Sequence, residues 1–397
     1  MKTNWKTLVA VVLTVILSCS SALACTSLYV GSDFTEDGAT ILARSEDLAN
    51  SRNKVYYVSP AGNHKAGEFY QGCYGFTYTF THDSYGYNAF RDDNLEGVDY
   101  VCPNCGGTHA HTPYEEGGAN EMGLMVSASE ALTAGKELLA VDPFEEKPAQ
   151  TPNARIKNAL AYLNPAYDFS ETDPEKSLYC ITNIDEAGNI VPMHTGIELD
   201  GSFNEKKAID FYKVDGVSND SNLETHIFHY FTGTEPTNIL EWVSMENSGL
   251  NVFVPYYPLL TTDVAAPYIV ATGLAYFSEE KPESGAFYPA TSRVKTEEGT
   301  VTVEGYRVLP EKWDESYYWT VDAISNIMKY GTPSDEVKAL VVDSLAAKQQ
   351  EIYDAFITMK ADIAAAEDPA KVSTDASMAM AYDVFEMLSG LAKELTK

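Results

Sequence analysis

Basic residues are scarce in this sequence. Its 397 residues include 27 Lys and Arg against 58 Asp and Glu, which gives a formal net charge of -31. A surface of that charge repels nucleic acid phosphates and anionic lipid headgroups, so we discount both as partners. Hydrophobic residues make up 45% of the chain. That fraction allows a sizeable core and argues against wholesale disorder.

Apolar runs long enough to span a membrane are lacking after the first two dozen residues, so we expect no membrane span there. The start of the sequence has the pattern of a signal peptide. Lys2 and Lys6 are positively charged, residues 8–17 form a short apolar run, and residues 22–24 (Ala-Leu-Ala) suit a signal peptidase. We therefore expect residues 1–24 to be removed and the protein to be exported, either secreted or associated with the cell envelope.

Lipidation is the main alternative to simple release. A lipobox normally carries Leu three positions before its cysteine, whereas Cys25 has Ala22 at that position. Cys19 follows Ile16-Leu17-Ser18 and also fits the motif imperfectly. Acylation of the Cys25 sulfur would leave no free thiol there. Both alternatives stay open at this point.

Cleavage after Ala24 would make Cys25 the first residue of the mature chain, with thiol and α-amine on one residue. An α-amine has a pKa near ~8, so part of it is neutral at physiological pH. Such an amine can take the proton of the attacking thiol without a separate histidine. The alternative is a cysteine that merely follows a cleavage site, or one that forms a disulfide.

The predicted secondary structure is β-rich first and helical last, which is typical of an α+β fold. Asp37-Gly38 predicts a hairpin turn, and Ser334 is the expected N-cap of the first long helix. Strands are predicted over residues 26–30, 39–43, 123–129, 177–182, 198–210, 225–231 and 250–255, and helices over 155–162, 334–366 and 374–396.

Residues 25–31 (Cys-Thr-Ser-Leu-Tyr-Val-Gly), Asp37-Gly38 and residues 43–47 (Ala-Arg-Ser-Glu-Asp) resemble the dipeptidase A family of cysteine N-terminal nucleophile (Ntn) hydrolases. That family is related to penicillin V acylase and conjugated bile acid hydrolase. The resemblance implies an αββα sandwich and amide hydrolysis through a thioester. It also implies that Arg44 helps to hold the thiolate and that Asp47 holds the α-amine. Without that context, the two residues would be interpreted as a surface ion pair.

A second resemblance lies in residues 117–124, Gly-Gly-Ala-Asn-Glu-Met-Gly-Leu. It implies that the Asn120 side chain helps to bind the oxyanion of the tetrahedral intermediate. A neutral amide donor suits that task because its dipole can point at the developing charge. The alternative is an ordinary turn, because Asn and Gly both favour such bends.

Weaker resemblance continues through residues 225–229 (Thr-His-Ile-Phe-His), where we interpret His226 and His229 as packing or pocket residues and not as catalytic bases. Residues 142–156 show none of the pattern expected after the oxyanion strand. We therefore expect a sandwich that is incomplete in its middle.

Cys102-Pro-Asn-Cys105 has the spacing of a zinc knuckle, with His109 and His111 close behind. These four side chains could hold a structural zinc ion in a closed tetrahedral site. Export favours oxidation, so a disulfide that involves Cys102 or Cys105 is the alternative. We expect no cofactor to be required for catalysis.

The leading hypothesis is an exported cysteine peptidase that hydrolyses dipeptides through Cys25, so the expected partners are small peptides. The alternatives are an acylase of N-acyl amino acids or related amides, and a degenerate exported binding protein without activity. Residues 25–325 are predicted to form the catalytic domain, and residues 326–397 a helical segment packed on it. Oligomerisation is left open.

Overall fold

The computed structural model describes residues 25–47, 53–71, 77–93, 115–127, 182–184, 190–192, 202–215, 217–233, 235–296 and 299–395. Its strands are β1 (Thr26–Val30), β2 (Thr40–Asp47), β3 (Lys54–Ser59), β4 (Phe69–Gln71), β5 (Thr77–Thr79), β6 (Tyr87–Asp92), β7 (Glu115–Asn120), β8 (Met125–Ser127), β9 (Thr182–Ile184), β10 (Ile190–Pro192), β11 (Asn222–Tyr230), β12 (Ile239–Met245), β13 (Val254–Tyr256), β14 (Tyr276–Ser278), β15 (Phe287–Thr296) and β16 (Gly299–Val308). Its α-helices are α1 (Glu205–Tyr212), α2 (Tyr317–Tyr330), α3 (Asp335–Ala365) and α4 (Pro369–Leu395). The predicted α+β class is confirmed.

The central sheet has the strand order β1-β2-β11-β12-β13, and each pair in it is antiparallel. The predicted Asp37-Gly38 turn joins its first two strands, and Gly38 has a φ of 79°, which suits glycine. β11 and β12 are buried along nearly their whole length, because both faces of the sheet are covered.

A second antiparallel sheet, in the order β3-β6-β7-β8, lies against one face of the central sheet. Across the gap, the Tyr56 hydroxyl donates to Oε2 of Glu241 at 2.8 Å. The sheets come so close at Gly117 that a Cβ there would lie 2.7 Å from Cε1 of His226. Only glycine fits that position of β7 without a shift of its neighbours.

The long helices cover the opposite face of the central sheet. Trp242 of β12 points to that side, and its ring centroid lies 5.0 Å from Tyr353 and 5.1 Å from Phe356, both on α3. Ser334 is the N-cap of α3, as predicted, because its Oγ accepts a hydrogen bond from the backbone N–H of Val337. No helix of the described residues is long and apolar enough to cross a membrane.

Several predicted elements differ in the structure. The strand predicted over 198–210 is wrong, since α1 begins there and Asn204 caps it by accepting from the N–H of Lys207 at 2.9 Å. α4 begins at Pro369, five residues earlier than expected, because proline is well suited to the first turn of a helix. The sequence did not predict α2 or the sheet β14-β16-β15. The predicted helix at 155–162 lies outside the described residues.

Candidate active site

Cys25 lies directly before β1 and is half-buried. Ser27 of β1 pairs with Arg44 of β2. Because the strands are antiparallel, Cys25, two residues before Ser27, comes opposite Glu46, two residues after Arg44. Alternate side chains of a strand point to the same face of its sheet. Cys25, Arg44 and Glu46 therefore share the face that points to the second sheet.

The Arg44 guanidinium is only 2% exposed and is surrounded by acidic groups. Its Nη2 lies 3.2 Å from Oε1 of Glu224 and 3.5 Å from Oε2 of Glu46, and its Nη1 donates to the backbone oxygen of Glu116 at 3.0 Å. Burial alone would lower the pKa of Arg44, but the charges of Glu224, Glu46 and Cys25 raise it above its usual value. A permanently charged guanidinium near the thiol favours the thiolate.

Lys54 of β3 is fully buried in the same cluster. Its Nζ lies 2.7 Å from Oε2 of Glu46 and 3.2 Å from Oδ1 of Asp92, and it also donates to Glu116. Burial opposes its charge, but Asp92, Glu116 and Glu46 raise the pKa of Lys54 well above the ordinary value. Burial and the charges of Glu46 and Asp92 likewise raise the pKa of Glu116. The charge of Lys54 is thus stabilised by three carboxyl groups, and Glu116 keeps its proton to a higher pH than an ordinary glutamate.

His226 extends the cluster along β11. Its Nδ1 lies 2.9 Å from Oε2 of Glu224, its Nε2 lies 2.8 Å from Oγ of Ser127, and its ring stacks on Phe90. Burial would raise the pKa of Glu224, but His226 and Arg44 lower it below its usual value. Glu224 thus joins the guanidinium to a serine–histidine pair. This Ser–His–Glu chain has the contacts of a hydrolytic triad.

Asp47, predicted to hold the α-amine, is buried and accepts a hydrogen bond from Nδ2 of Asn222. It lies three residues after Arg44, so the two side chains leave opposite faces of β2. The alternative of a surface ion pair is wrong, because both side chains are buried. Asp47 is one step along β2 beyond Glu46, the residue opposite Cys25.

Tyr212 of α1 is a neighbour of Cys25 that the sequence did not predict. Its hydroxyl donates to the backbone oxygen of Thr26 at 3.0 Å. Burial and then the charge of Asp47 raise the pKa of Tyr212 well above its usual value. The phenol therefore stays protonated and holds the first residue of β1 in place.

Asn120 is the last residue of β7, where the turn to β8 begins. Its Oδ1 accepts hydrogen bonds from the N–H groups of Met122 at 3.0 Å and Leu124 at 2.9 Å. The preceding Ala119 packs with Phe228 of β11. Thr26 is aligned across the sheet with Thr225 of β11, which is three residues, or roughly 10 Å, from Phe228 along that strand. The structure thus brings Arg44 to the neighbourhood of Cys25. The oxyanion role of Asn120 stays a prediction.

The charged side chains between the sheets share a sequence signal. Arg44 and Glu46 are two residues apart in β2, and Glu224 and His226 are two residues apart in β11. Two charged residues at that spacing in an apolar strand lie on one face of the sheet. This signal could have identified the central-sheet part of the cluster, but not Lys54 or Glu116, which come from the second sheet.

The predicted zinc or disulfide site lies outside the described residues. It comprises Cys102, Cys105, His109 and His111, so the choice between zinc and a disulfide stays a prediction. Cys25 is free in the described part of the chain.

Comparison with known proteins supports the resemblance. Residues 24–168 match the profile of peptidase family C69. This match includes residues 142–156, which we expected to fall outside the resemblance. A probable dipeptidase B of Streptococcus pyogenes serotype M1 is 34% identical over 143 residues, which are 36% of this chain and 24% of that protein.

Two further relatives agree with this match. A probable dipeptidase of Salmonella dublin is 29% identical over 35% of this chain and 29% of its own length. A dipeptidase of Bifidobacterium longum is 32% identical over 31% of this chain and 21% of its own length. The chain thus spans about a quarter of the length of these relatives. The predicted resemblance to dipeptidases is confirmed over the N-terminal part of the chain.

Proposed function

We propose that the protein is an exported cysteine peptidase that hydrolyses dipeptides through Cys25, on the premise that residues 24–168 match peptidase family C69. The observation that carries this proposal is the position of Cys25. It begins the central sheet on the same face as the buried Arg44 and within reach of its charge. No other described cysteine competes for the role.

Removal of residues 1–24 would give Cys25 a free α-amine, and the buried Asp47, one step along β2 beyond the residue opposite Cys25, is the carboxylate that would hold it. The amine takes the proton of the thiol as Sγ attacks the scissile carbonyl carbon. The proton then passes to the departing amine as the amide bond breaks, which leaves a thioester. Water, deprotonated by the same α-amine, attacks the thioester and releases the acid and the thiol.

The charge of the cluster supports an unmodified dipeptide as substrate. Glu46, Glu116, Glu224 and Asp92 contribute four carboxylates, against the two cations Arg44 and Lys54. Carboxyl groups outnumber cations by two, so negative charge remains even when Glu116, whose pKa is raised, keeps its proton. A dipeptide carries a free ammonium two bonds from its scissile carbonyl, and this surplus would attract it. An N-acyl amino acid has no such ammonium.

The Ser–His–Glu chain supports a second mechanism for the same reaction. In it, His226 takes the Oγ proton of Ser127 and Glu224 orients the imidazole. Arg44 holds the other oxygen of the same carboxylate, since its Nη2 lies 3.2 Å from Oε1. We favour Cys25 because Arg44 is poised to stabilise a thiolate.

The test compares Cys25→Ala, Cys25→Ser and Ser127→Ala variants of the secreted chain on a panel of unmodified dipeptides. Mass spectrometry of each purified protein establishes whether Cys25 is the first residue. We expect both Cys25 variants to lose turnover and Ser127→Ala to keep most of it. Full activity of Cys25→Ala with loss in Ser127→Ala would transfer the reaction to the serine.

Two further measurements test which substrates are cleaved and whether the protein is active at all. N-acetylated versions of the same dipeptides test the ammonium, and we expect them to be poor substrates. Efficient cleavage of N-acyl amino acids in place of dipeptides would establish the acylase alternative. A protein with intact Cys25 that neither turns over any substrate nor reacts selectively with an electrophilic dipeptide analogue would be a binding protein without activity.

We also infer the finer architecture of the fold. One layer of helices, the central sheet and the second sheet follow one another among the described residues, which supports an αββα sandwich. The division into a catalytic domain of residues 25–325 and a helical segment of 326–397 belongs to the same proposal.

A further inference from the structure

A second cluster of chemically reactive side chains lies on the other face of the central sheet. It combines Asp37 of the β1–β2 turn, Glu205 at the start of α1 and His229 of β11. His229 is three residues after His226, so its side chain leaves the opposite face of the strand. The cluster is therefore distinct from the site around Cys25.

His229 is 5% exposed, and its Nε2 points into the gap between the two carboxylates. This atom lies 3.0 Å from Oδ2 of Asp37 and 3.8 Å from Oε2 of Glu205. Within the described part of the chain it is nevertheless not aligned for a hydrogen bond with any acceptor. Nε2 is thus a buried polar atom that faces two carboxylates and makes no hydrogen bond, which calls for an explanation.

The carboxylate of Asp37 is held in place, and the turn that carries it is tied to the helix that carries Glu205. The other carboxylate oxygen of Asp37 accepts from the N–H of Ala39 at 3.1 Å, which fixes the orientation of Oδ2. The turn is tied to the start of α1, since the N–H of Glu36 donates to the backbone oxygen of Phe203 at 2.8 Å. The three donors thus come from three elements that backbone contacts already join.

The distances fit a small metal ion. Two donors at about 2.1 Å from one ion can lie at most about 4.2 Å apart. The two separations from Nε2, 3.0 Å and 3.8 Å, are both within that limit. All three donor atoms lie within 4.8 Å of one another, so a small side-chain shift completes the set.

We propose that Asp37, Glu205 and His229 bind a divalent transition-metal ion such as Zn²⁺ or Mn²⁺. One imidazole with two carboxylates suits these ions better than Ca²⁺ or Mg²⁺, which prefer oxygen alone. The carboxylates neutralise its charge, and water reaches the open side, because Asp37 is 41% and Glu205 22% exposed at the side chain. The ion connects the β1–β2 turn to α1, the helix whose Tyr212 holds the start of β1.

The experiment uses Mn²⁺ alone as the probe and the full secreted chain, stripped with a chelator. Electron paramagnetic resonance of free Mn²⁺ measures binding, since Mn²⁺ has little affinity for the thiolates of Cys102 and Cys105. We expect one tight Mn²⁺ per chain and a higher melting temperature at saturation. Asp37→Asn and Glu205→Gln should each weaken binding by about tenfold or more.

Two controls make the result specific. Glu68→Gln removes one carboxylate from the exposed His64–Glu68 pair, where only two donors meet, and should leave Mn²⁺ binding unchanged. A Cys102→Ser/Cys105→Ser variant should also keep it. Circular dichroism and urea unfolding without metal establish that Asp37→Asn is folded. No binding by the stripped parent chain, or equal binding by parent and a folded Asp37→Asn, overturns the proposal.

Discussion

Arg44 and Glu224 form a buried ion pair between neighbouring strands of the central sheet, with Nη2 3.2 Å from Oε1 and both side chains almost completely shielded from water. Glu224 is also the group that links Arg44 to His226. The carboxylate therefore balances the charge of the guanidinium beside Cys25 and fixes its orientation.

We predict that Glu224→Gln destabilises the protein by about 3 kcal/mol, because loss of one partner leaves a buried charge uncompensated. Urea unfolding at pH 7 measures this change. Asp375→Asn breaks the exposed Lys371–Asp375 pair and serves as the control, for which we expect no measurable change. Equal stability of the Glu224→Gln and parent proteins would show that Arg44 finds sufficient compensation elsewhere.

Glycine at position 117 sets the spacing between the sheets. We predict that Gly117→Ala costs about 1–3 kcal/mol, because the added methyl group would meet the His226 ring at 2.7 Å. Gly390→Ala is the matched control, since nothing lies within 4 Å of its added Cβ on α4. Alanine there should stabilise the helix by roughly 0.5–1 kcal/mol. Urea midpoints that shift in the same direction would contradict the close contact at Gly117.

Two local signals in the sequence predicted a turn and a helix start correctly. Asp37-Gly38 predicted the hairpin and Ser334 the start of α3, because each depends on a few adjacent residues. The pairing of β2 with β11 could not be predicted, since it joins residues some 180 positions apart in sequence. α1 was missed because it has only 8 residues, so its apolar positions 208, 209, 211 and 212 cover little more than one turn of helix.

In the candidate site, too, the residues that are close in sequence were predicted and those that only the fold brings together were not. Cys25, Arg44 and Asp47 belong to one hairpin and were predicted from one short stretch of sequence. Lys54 is charged, and charged residues are usually assigned to the surface. Its burial depends on carboxylates from three different strands, which only the packing of the two sheets brings together.

Glu241 should make stability depend on pH. Burial raises its pKa from 4.5 to about 8, although hydrogen bonds from Tyr56 and Asn88 oppose that rise. The unfolded carboxyl loses its proton near pH 4.5 while the folded one keeps it up to about 8. The folded state therefore binds more protons in that window, so its stability is full below pH 4.5 and falls as pH rises to 8.

We predict that Glu241→Gln removes this fall, because glutamine stays neutral at every pH. Urea unfolding of parent and variant at pH 5 and pH 8.5 tests it. The difference between the two proteins isolates Glu241 from all other titrating groups. The variant should gain a few kcal/mol relative to the parent at the higher pH. A constant difference at both values would mean that Glu241 is ionised in the fold.

Tyr212 should matter for turnover more than for stability. Its hydroxyl holds the backbone oxygen of Thr26 at 3.0 Å, one residue from the proposed nucleophile. We predict that Tyr212→Phe lowers kcat about tenfold with little change in KM, because small displacements of a nucleophile are costly. Loss of the hydrogen bond itself should cost only about 1 kcal/mol of stability.

Tyr330→Phe is the matched control for this positioning role. Tyr330 is the last residue of α2, and its hydroxyl donates to Oδ2 of Asp220 at 2.9 Å. The variant therefore loses the same atom and a comparable hydrogen bond. Dipeptide turnover and urea unfolding should be measured on both variants. Similar losses of stability with a fall in kcat for Tyr212→Phe alone would assign its hydroxyl to holding Cys25. Tyr330 contacts no part of the site around Cys25 that the structure describes. An equal fall of kcat in both variants would therefore assign the effect to a general loss of stability and not to the position of Cys25.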